Sequence, residues 1–253
     1  MIFRIAETDV FIVGSIHLLP SGVTLSLEKQ RALVEQSSEV IFESDLDHIT
    51  IPTSRLLQSG RLSDILAKDI YDRVAALTAQ IGFEEQIDTV KPWFMGLALS
   101  IRLQIKSGAG FGGVDRALWD QAKAAGKLIF VLEQAEIFEK IDAAPISEAV
   151  AVLEYVATHP DEPVTQLRTI YEAWQATDQE ALDAAFLRMS RIAPTIYQCL
   201  FEDRNRLWMP SLLTAINGKR QALFVVGCGH IAHGSASIKR LLEEAGFSLE
   251  AVG

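Results

Sequence analysis

Residues 222–230 read Ala-Leu-Phe-Val-Val-Gly-Cys-Gly-His. Five apolar residues in a row, preceded by a polar residue and followed by glycine, predict a short strand inside a sheet that helices cover on both faces. A second strand is expected at residues 9–16, and its apolar run, residues 10–13, is likewise followed by Gly, two residues and a histidine, His17. The chain is therefore expected to form an α/β domain in which two core strands lead directly into histidines.

Further strand and helix patterns surround these two runs. Strands are expected at residues 1–6, 39–43, 127–132 (buried) and 247–252. Helices are expected at residues 26–37, 63–82, 91–107, 117–125 and 235–245.

The middle of the chain is expected to be helical. From residue 133 to 217 no strand pattern occurs, and prolines divide the stretch into four to six helices. Residues 108–113 (GAGFGG) are expected to form a flexible loop. The whole order predicts one α/β domain over residues 1–253, with a mixed, mostly parallel sheet covered by helices and a helical insertion at about residues 134–217.

The composition limits the class of protein. The chain has 253 residues, 49% of them apolar, which is typical of a domain that buries its own core. Two cysteines exclude a disulfide framework and any zinc site of four thiolates. The net charge of −10 argues against nucleic-acid binding, which needs a basic face. Residues 133–183 carry that whole net charge, and their acids are expected mostly to face water unless they form a docking surface.

The sequence also bears on membrane association and export. No run of 18 apolar residues occurs, so no transmembrane segment is expected. The N-terminus lacks the long apolar stretch of a signal peptide. We therefore expect either a cytoplasmic protein or an exported one whose leader was removed. A homo-oligomer is compatible with the sequence.

Four polar residues follow predicted strands at equivalent places. His17 and His230 each end a Gly-x-x-His frame, while Glu43 and Glu133 come directly after apolar runs. If the strands are parallel, all four side chains gather at the edge where ligands of open α/β sheets bind. A single histidine in such a place is more often structural. Two matching frames together with Glu43 favour a metal or catalytic role.

The residue types indicate which chemistry this edge would support. Two imidazoles and a carboxylate, here His17, His230 and Glu43, form a ligand set for Zn, Mn, Co or Fe(II) with positions left for water. Such an ion lowers the pKa of bound water toward about 7 and polarises a carbonyl group. Glu133 would then orient the ligands or take a proton from the water.

The paired Gly-x-x-His frames, Phe42-Glu43, Arg204-Asn205 and the final VGCGH segment resemble the TraB/PrgY/GumN family. That family is related to the TIKI proteases and, more distantly, to erythromycin esterase and the ChaN haem-binding proteins. The resemblance covers nearly the whole chain and is weakest in the helical middle. It implies that His17, Glu43 and His230 cluster and hold a divalent metal ion such as Mn, Co or Zn. It also assigns site roles to Glu133, Arg204, Asp115 and Asn205.

The resemblance implies a metal-dependent hydrolase of amide, peptide or ester bonds, acting on a peptide or small-molecule substrate. Glu43 and Glu133 would take part in catalysis. Arg204 would stabilise the oxyanion or bind a substrate carboxylate, while Asp115 and Asn205 would serve binding. Two rival functions stay open. One is a haem- or iron-binding protein without turnover, and the other is a regulatory protein that captures a peptide.

Other candidate groups rank lower. Cys228 lies two residues before His230 and is conceivable as a nucleophile, but a buried inert thiol is the better interpretation. His233 is expected at a helix start or on the surface rather than as a further ligand. The motifs GxSxG, HExxH and GxxxxGK[ST] do not occur, so serine hydrolase, zincin and P-loop chemistry lack support.

Overall fold

A computed structural model describes residues 1–48, 55–133 and 137–252 of the chain. Within these residues the strands belong to one six-stranded sheet and one two-stranded ribbon. They are β1 (Ile2–Ile5), β2 (Val10–Ser15), β3 (Leu18–Leu19), β4 (Glu39–Phe42), β5 (Gly110–Phe111), β6 (Leu128–Val131), β7 (Ala222–Gly227) and β8 (Leu249–Ala251).

The helices precede, follow and connect these strands. They are α1 (Glu28–Gln36), α2 (Leu62–Ile65), α3 (Lys68–Ile81), α4 (Pro92–Lys106), α5 (Val114–Ala124), α6 (Ile137–Asp142), α7 (Ile146–Thr158), α8 (Glu162–Ala176), α9 (Gln179–Ile192), α10 (Pro194–Tyr197), α11 (Asp203–Asn217), α12 (Gly229–Ala232) and α13 (Ile238–Glu244). A 3₁₀ helix spans Glu84–Thr89, and a π-helical turn, Gln198–Glu202, leads into α11.

The sheet order is β6-β4-β7-β2-β1-β8. The four strands β6, β4, β7 and β2 run parallel, whereas β1 pairs antiparallel with both β2 and β8. The predicted mixed, mostly parallel sheet of an α/β fold is therefore confirmed. Because the four parallel strands share one direction, the residues that follow them lie at one edge of the sheet.

Local sequence signals account for many of the helix ends. Pro92 occupies the first turn of α4, where its missing N–H is not needed. The Asp178 side chain accepts a hydrogen bond from the backbone N–H of Ala181 and caps α9. Gly82 ends α3 in the left-handed conformation that glycine adopts without strain. The region 63–82, predicted to be helical, forms two helices, because α2 ends at Ile65 and α3 begins at Lys68.

Strand β6 departs from the prediction that residues 127–132 form a buried strand. It is the edge strand of the sheet, and Leu128, Phe130 and Val131 are exposed. Only Ile129 of this strand packs against the main core. The prediction of burial was wrong because an apolar run does not reveal whether a strand has one neighbour or two.

Among the short elements that were not predicted are β3, β5 and α12. Within the expected loop 108–113, β5 pairs antiparallel with β3. The short helix α12 follows β7 directly and contains His230. The helix expected at 235–245 begins only at Ile238, in α13. Each difference concerns a segment of four residues or fewer, too short to leave a periodic signal.

The described residues 137–217 contain helices and no strand, in line with the expected insertion; residues 134–136 lie outside the described residues. Helices α2, α3 and α4 also join this helical layer, because they share a hydrophobic cluster with α7. The layer is tied to the sheet by Trp174 on α8, whose indole N–H donates to the Gly14 carbonyl at 2.6 Å.

The acids of residues 133–183 do not form a single docking surface. Of those that the structure describes, none is fully buried, and Glu139, Asp161 and Glu172 are exposed. The partly buried ones have separate partners: Asp142 binds Lys91, for example, and Glu162 binds Arg188. Glu136 lies outside the described residues. The solvated interpretation therefore fits the described acids better than a shared docking patch.

Among residues 1–48, 55–133 and 137–252, no helix combines the length and the apolar composition that crossing a membrane requires.

The start of α5 passes very close to the end of β2. The Val114 N–H donates to the Ile16 carbonyl at 2.9 Å. A Cβ atom on Gly113 would lie 1.9 Å from that same oxygen and 2.6 Å from the His17 carbonyl oxygen. Only glycine permits this approach, which brings Asp115 on α5 to the residue that follows β2.

We predict that Gly113→Ala lowers the free energy of unfolding by about 1–3 kcal/mol, because the added methyl group forces α5 away from β2. Denaturant unfolding measures this change. Gly112→Ala is the matched control, since a Cβ there meets no atom within 4 Å, and surface changes of that kind stay within about 0.5 kcal/mol. Equal stability of the two variants would show that the contact is not tight.

Candidate functional site at the carboxyl edge of the parallel strands

The four predicted site residues lie at the edge that the parallel strands define. Glu43 and Glu133 are neighbours because the pairing of β4 and β6 continues beyond the strands, where the Glu133 N–H donates to the Glu43 carbonyl at 2.9 Å. His17 follows β2, and His230 lies in α12 just after β7. Since β2 and β7 pair in parallel, both Gly-x-x-His frames leave the sheet side by side.

Glu43 is buried and stays ionised. The Gly227 N–H donates to its Oε1, and the Arg204 Nη2 donates to its Oε2 at 2.9 Å. Burial alone would raise the pKa of Glu43, but Arg204, His230, His17 and the Gly227 N–H lower it to about 2. A Cβ on Gly227 would lie 3.1 Å from the Glu43 Oε1, so a side chain there would require the carboxylate to shift by a few tenths of an ångström.

Arg204 occupies the centre of the site. From the first turn of α11 its Nε donates to the Oε1 of Glu133, and its Nη2 donates to the carboxylates of both Glu43 and Glu133. Its Nη1 donates to the Leu200 carbonyl at 2.9 Å and lies 3.1 Å from the Nε2 of His230. Each of the five guanidinium N–H groups therefore has an acceptor.

These contacts bear on the role expected for Arg204, as an oxyanion donor or a ligand of a substrate carboxylate, which stays a prediction. An oxyanion donor needs an N–H group directed at empty space, and all five are bound to groups of the protein. The guanidinium instead balances two buried carboxylates, and its Cζ lies 4.9 Å above the ring of Trp208. The pKa of Glu133 is raised, because burial outweighs its contacts with Arg204. The two carboxylates thus differ: Glu43 is the fixed anion, and Glu133 takes up a proton more readily.

The His230 imidazole is neutral and is held as the tautomer that carries its proton on Nδ1. The Asn205 side chain donates to the carbonyl oxygens of His230 and Ala236, so its Oδ1 is the acceptor for the His230 Nδ1–H at 2.7 Å. The Nε2 is then unprotonated and accepts from Arg204, 3.7 Å from the Oε1 of Glu43. Burial, reinforced by Arg204, lowers the pKa of His230 to about 3. Asn205 therefore sets the orientation and the tautomer of the ring.

His17 is the member of the set that reaches solvent, with 60% of its side chain exposed. Its Nδ1–H donates to the Oδ2 of the buried Asp115 at 2.6 Å, which leaves the Nε2 directed away from Asp115. Desolvation acts to lower the pKa of His17, but the hydrogen bond and the charge of Asp115 outweigh it and raise the pKa to about 9. The His17–Asp115 pair therefore carries a proton at neutral pH.

The donor atoms fit a metal ion in their chemistry. Metal-binding histidines usually donate their second ring N–H to a supporting acceptor, as His17 does to Asp115 and His230 does to Asn205. In the described arrangement, however, the Arg204 guanidinium contacts both Glu43 and His230 where an ion bound to those two residues would lie. Among the described residues, no group of three or more His, Cys, Asp or Glu side chains is arranged to hold an ion.

The lower-ranked candidates, Cys228 and His233, are both buried inside the protein. Cys228 is buried, and burial raises the pKa of its thiol to about 12, so the inert interpretation holds. His233 is buried too, contrary to the surface role expected for it, and contacts Asp183 at 3.5 Å. The residues that sequence reasoning missed are aromatic: the rings of Phe201 and Trp208 lie 5.0 and 4.5 Å from that of His230.

The family model described as TraB/PrgY/gumN family matches residues 2–251 of the chain. The chain therefore belongs to the TraB/PrgY/gumN family, and the resemblance carried by its Gly-x-x-His frames is confirmed. Comparison with curated proteins and with solved structures gives no match.

We predict that Arg204→Met lowers the free energy of unfolding by about 3–5 kcal/mol, because it leaves Glu43 and Glu133 buried without a counter-charge. Denaturant unfolding at pH 7 measures the loss. The control is Arg206→Met, whose exposed guanidinium lies 3.6 Å from Asp203 and 3.9 Å from Glu202. That control should change stability by about 0–1 kcal/mol. Similar losses in both variants would remove the guanidinium from its central role.

We also predict that His17 has a pKa near 9 in the metal-free protein. Asp115→Asn should lower this pKa, because it removes the carboxylate that stabilises the protonated imidazole. NMR titration of the histidine rings measures this. The folded-state pKa lies above the ordinary value of 6.5, so the pair's stabilisation is complete below pH 6.5 and is lost as the pH rises through about 9. Asp120→Asn, an exposed change on the same helix, should leave the titration unchanged.

Proposed function

We propose that this TraB/PrgY/gumN family member is a hydrolase of amide or ester bonds that uses a divalent metal ion held by His17, Glu43 and His230. One observation carries the proposal. Both histidines are supported through Nδ1, by Asp115 at 2.6 Å and by Asn205 at 2.7 Å, so Nε2 is the ring nitrogen that each would offer to an ion, that of His230 once Arg204 no longer donates to it. Support of this kind is what metal-binding histidines receive in proteins.

The residues around these ligands supply the rest of the chemistry. When bound, the ion would lower the pKa of a water molecule and polarise the carbonyl group of the substrate. Glu133, whose pKa is raised, holds and moves the proton at its carboxylate. Glu43, with a pKa of about 2, remains an anion throughout. The substrate enters from the side of His17, because that residue is the exposed member of the set.

The proposal requires a change at Arg204. The ion would need the Oε2 of Glu43 and the Nε2 of His230 as ligands. In the structure the Arg204 guanidinium contacts both atoms, at 2.9 Å from its Nη2 and 3.1 Å from its Nη1. Binding of the ion therefore displaces the guanidinium from at least one of these contacts. It also displaces the proton of His17, because a ligating imidazole nitrogen must be free of its proton.

Metal content tests the proposal most directly. We expect elemental analysis to find about one divalent ion per chain in protein purified without a chelator or a histidine tag. After removal of the ion, Mn²⁺, Co²⁺ and Zn²⁺ are titrated back by calorimetry. Asp115→Asn should weaken binding by about 10–100-fold, the usual effect of losing a supporting group, and His17→Ala should weaken it more. His159→Ala is the control, because its side chain is exposed at the end of α7.

Hydrolysis is measured in parallel with a peptide library and a set of aryl esters. Loss of turnover in Glu133→Gln, with full turnover in the exposed control Glu139→Gln, is the expected result. A purified protein that carries haem and shows no turnover would replace the hydrolase with a binding protein. Tight capture of a peptide that is neither cleaved nor affected by a chelator would replace it with a regulatory one.

A further inference from the structure

An apolar cavity of ≈ 250 Å³ lies within the helical layer. Helices α4, α6, α7, α8 and α9 supply its walls, and α10 and the π-helical turn close it on one side. None of the residues that line it belongs to the candidate functional site, so the cavity is a separate feature of the fold. Most of its lining is apolar and includes Trp93, Phe138, Ile141, Met189 and Ile196.

Two small residues on one face of α4 leave this space open. Trp93, Gly96 and Ser100 are spaced three and four residues apart, so they share a face of the helix, and all three line the cavity. The Ser100 hydroxyl donates to the Gly96 carbonyl of its own helix at 2.9 Å. A Cβ atom on Gly96 would lie 3.4 Å from the Cγ1 of Val152, an ordinary contact distance. Close packing therefore does not require the glycine, and short side chains on α4 account for the space.

The other polar groups that line the cavity also have partners within the protein. Gln166 donates to the Ala185 carbonyl at 3.1 Å. Arg188 binds the Glu162 carboxylate and the Tyr155 hydroxyl, so the opposite charges of this pair compensate each other. Among the described residues, no buried side-chain N or O atom that lacks a partner belongs to the lining. A molecule inside the cavity therefore meets apolar surface and polar groups that are already bonded.

The cavity meets solvent between α4 and α9. Leu97 on α4 and Arg188 on α9 are the exposed residues of its lining, and 45% of the Leu97 residue surface is accessible. A small molecule can enter there. An apolar space of this size that stays empty destabilises a fold, because the atoms around it lack contacts on one side. A hydrocarbon that enters beside Leu97 restores those contacts and needs no hydrogen bond.

We propose that this cavity is a binding site for a small neutral hydrocarbon, and that this binding is independent of the proposed hydrolysis. The volume indicates the size of the ligand. An apolar cavity of about 150 Å³ binds benzene, and the same ratio of volume to carbon atoms gives about ten carbon atoms for ≈ 250 Å³. A charged group is disfavoured, because it would lose its hydration and find no uncompensated charge in the lining. The ligand class is therefore a neutral aromatic or aliphatic molecule of that size.

The site is tested by filling the cavity and by charging its mouth. Ser100→Phe places a ring inside the cavity, and Arg102→Phe is its control on the exposed face of the same helix. Leu97→Asp puts a charge on a lining residue that is already exposed, and Leu207→Asp is its exposed control outside the lining. The second pair keeps the test valid if Ser100→Phe fails to fold.

The probe is naphthalene, whose binding to the full chain is measured by equilibrium dialysis and read from its fluorescence. Benzene is compared as a smaller ligand, and 1-naphthoate as a charged one with the same rings. We expect one naphthalene per chain. Benzene should bind at least about tenfold more weakly, because it buries fewer apolar carbon atoms. The binding of 1-naphthoate should also be weaker by at least about tenfold, because its carboxylate loses hydration.

Ser100→Phe and Leu97→Asp should each abolish the binding of naphthalene, while both controls keep the affinity of the wild type. Absence of naphthalene binding to the wild-type chain would overturn the proposal. Binding that survives in the folded cavity variants would also overturn it, because the probe would then lie elsewhere. Equal affinity for 1-naphthoate and naphthalene would show that the site accepts an anion, and the neutral ligand class would be wrong.

Discussion

The charge balance between Arg204 and two buried carboxylates is the constraint on which the candidate site depends. A carboxylate removed from water costs several kcal/mol unless a cation and hydrogen bonds replace its hydration. Glu43 and Glu133 adjoin at the end of neighbouring parallel strands, so each also repels the other. Arg204 offsets both charges from α11. The next residue, Asn205, fixes the tautomer of His230. The start of one helix therefore supplies both the cation and the group that orients the His230 ring beside it.

Much of this arrangement follows from the sequence, because strand patterns and strand ends are local. The apolar runs before His17, Glu43 and His230 are short, uniform and ended by glycine or a polar residue. Once their strands are taken as parallel, the side chains that follow them share one edge. Asp115 was assigned through the family resemblance, and only the structure shows that Gly113 allows α5 to cross so close to β2. Arg204 was found through family resemblance rather than through any periodic pattern.

The rest depends on contacts between distant segments. The apolar run of β6 gives no sign that its partner side is open, since edge and central strands of this composition look alike. The saturation of the Arg204 guanidinium requires acceptors from β4, β6, α12 and the π-helical turn, which only the folded chain brings together. An apolar cavity in the helical layer is bounded by α4 and by helices more than thirty residues further along the chain. No local pattern encodes a space between such elements.

The central position of the site is occupied by the guanidinium of Arg204. With the guanidinium in place, the anionic charge of Glu43 is already compensated, and Glu133 takes up a proton more readily than usual. Under the proposed function a divalent ion would add charge there, so its binding would be coupled to movement of Arg204 and to release of the His17 proton. The guanidinium also donates to the Leu200 carbonyl, and Leu200 lines an apolar cavity in the helical layer. Leu200 of the π-helical turn therefore contacts both the Arg204 guanidinium and the apolar cavity.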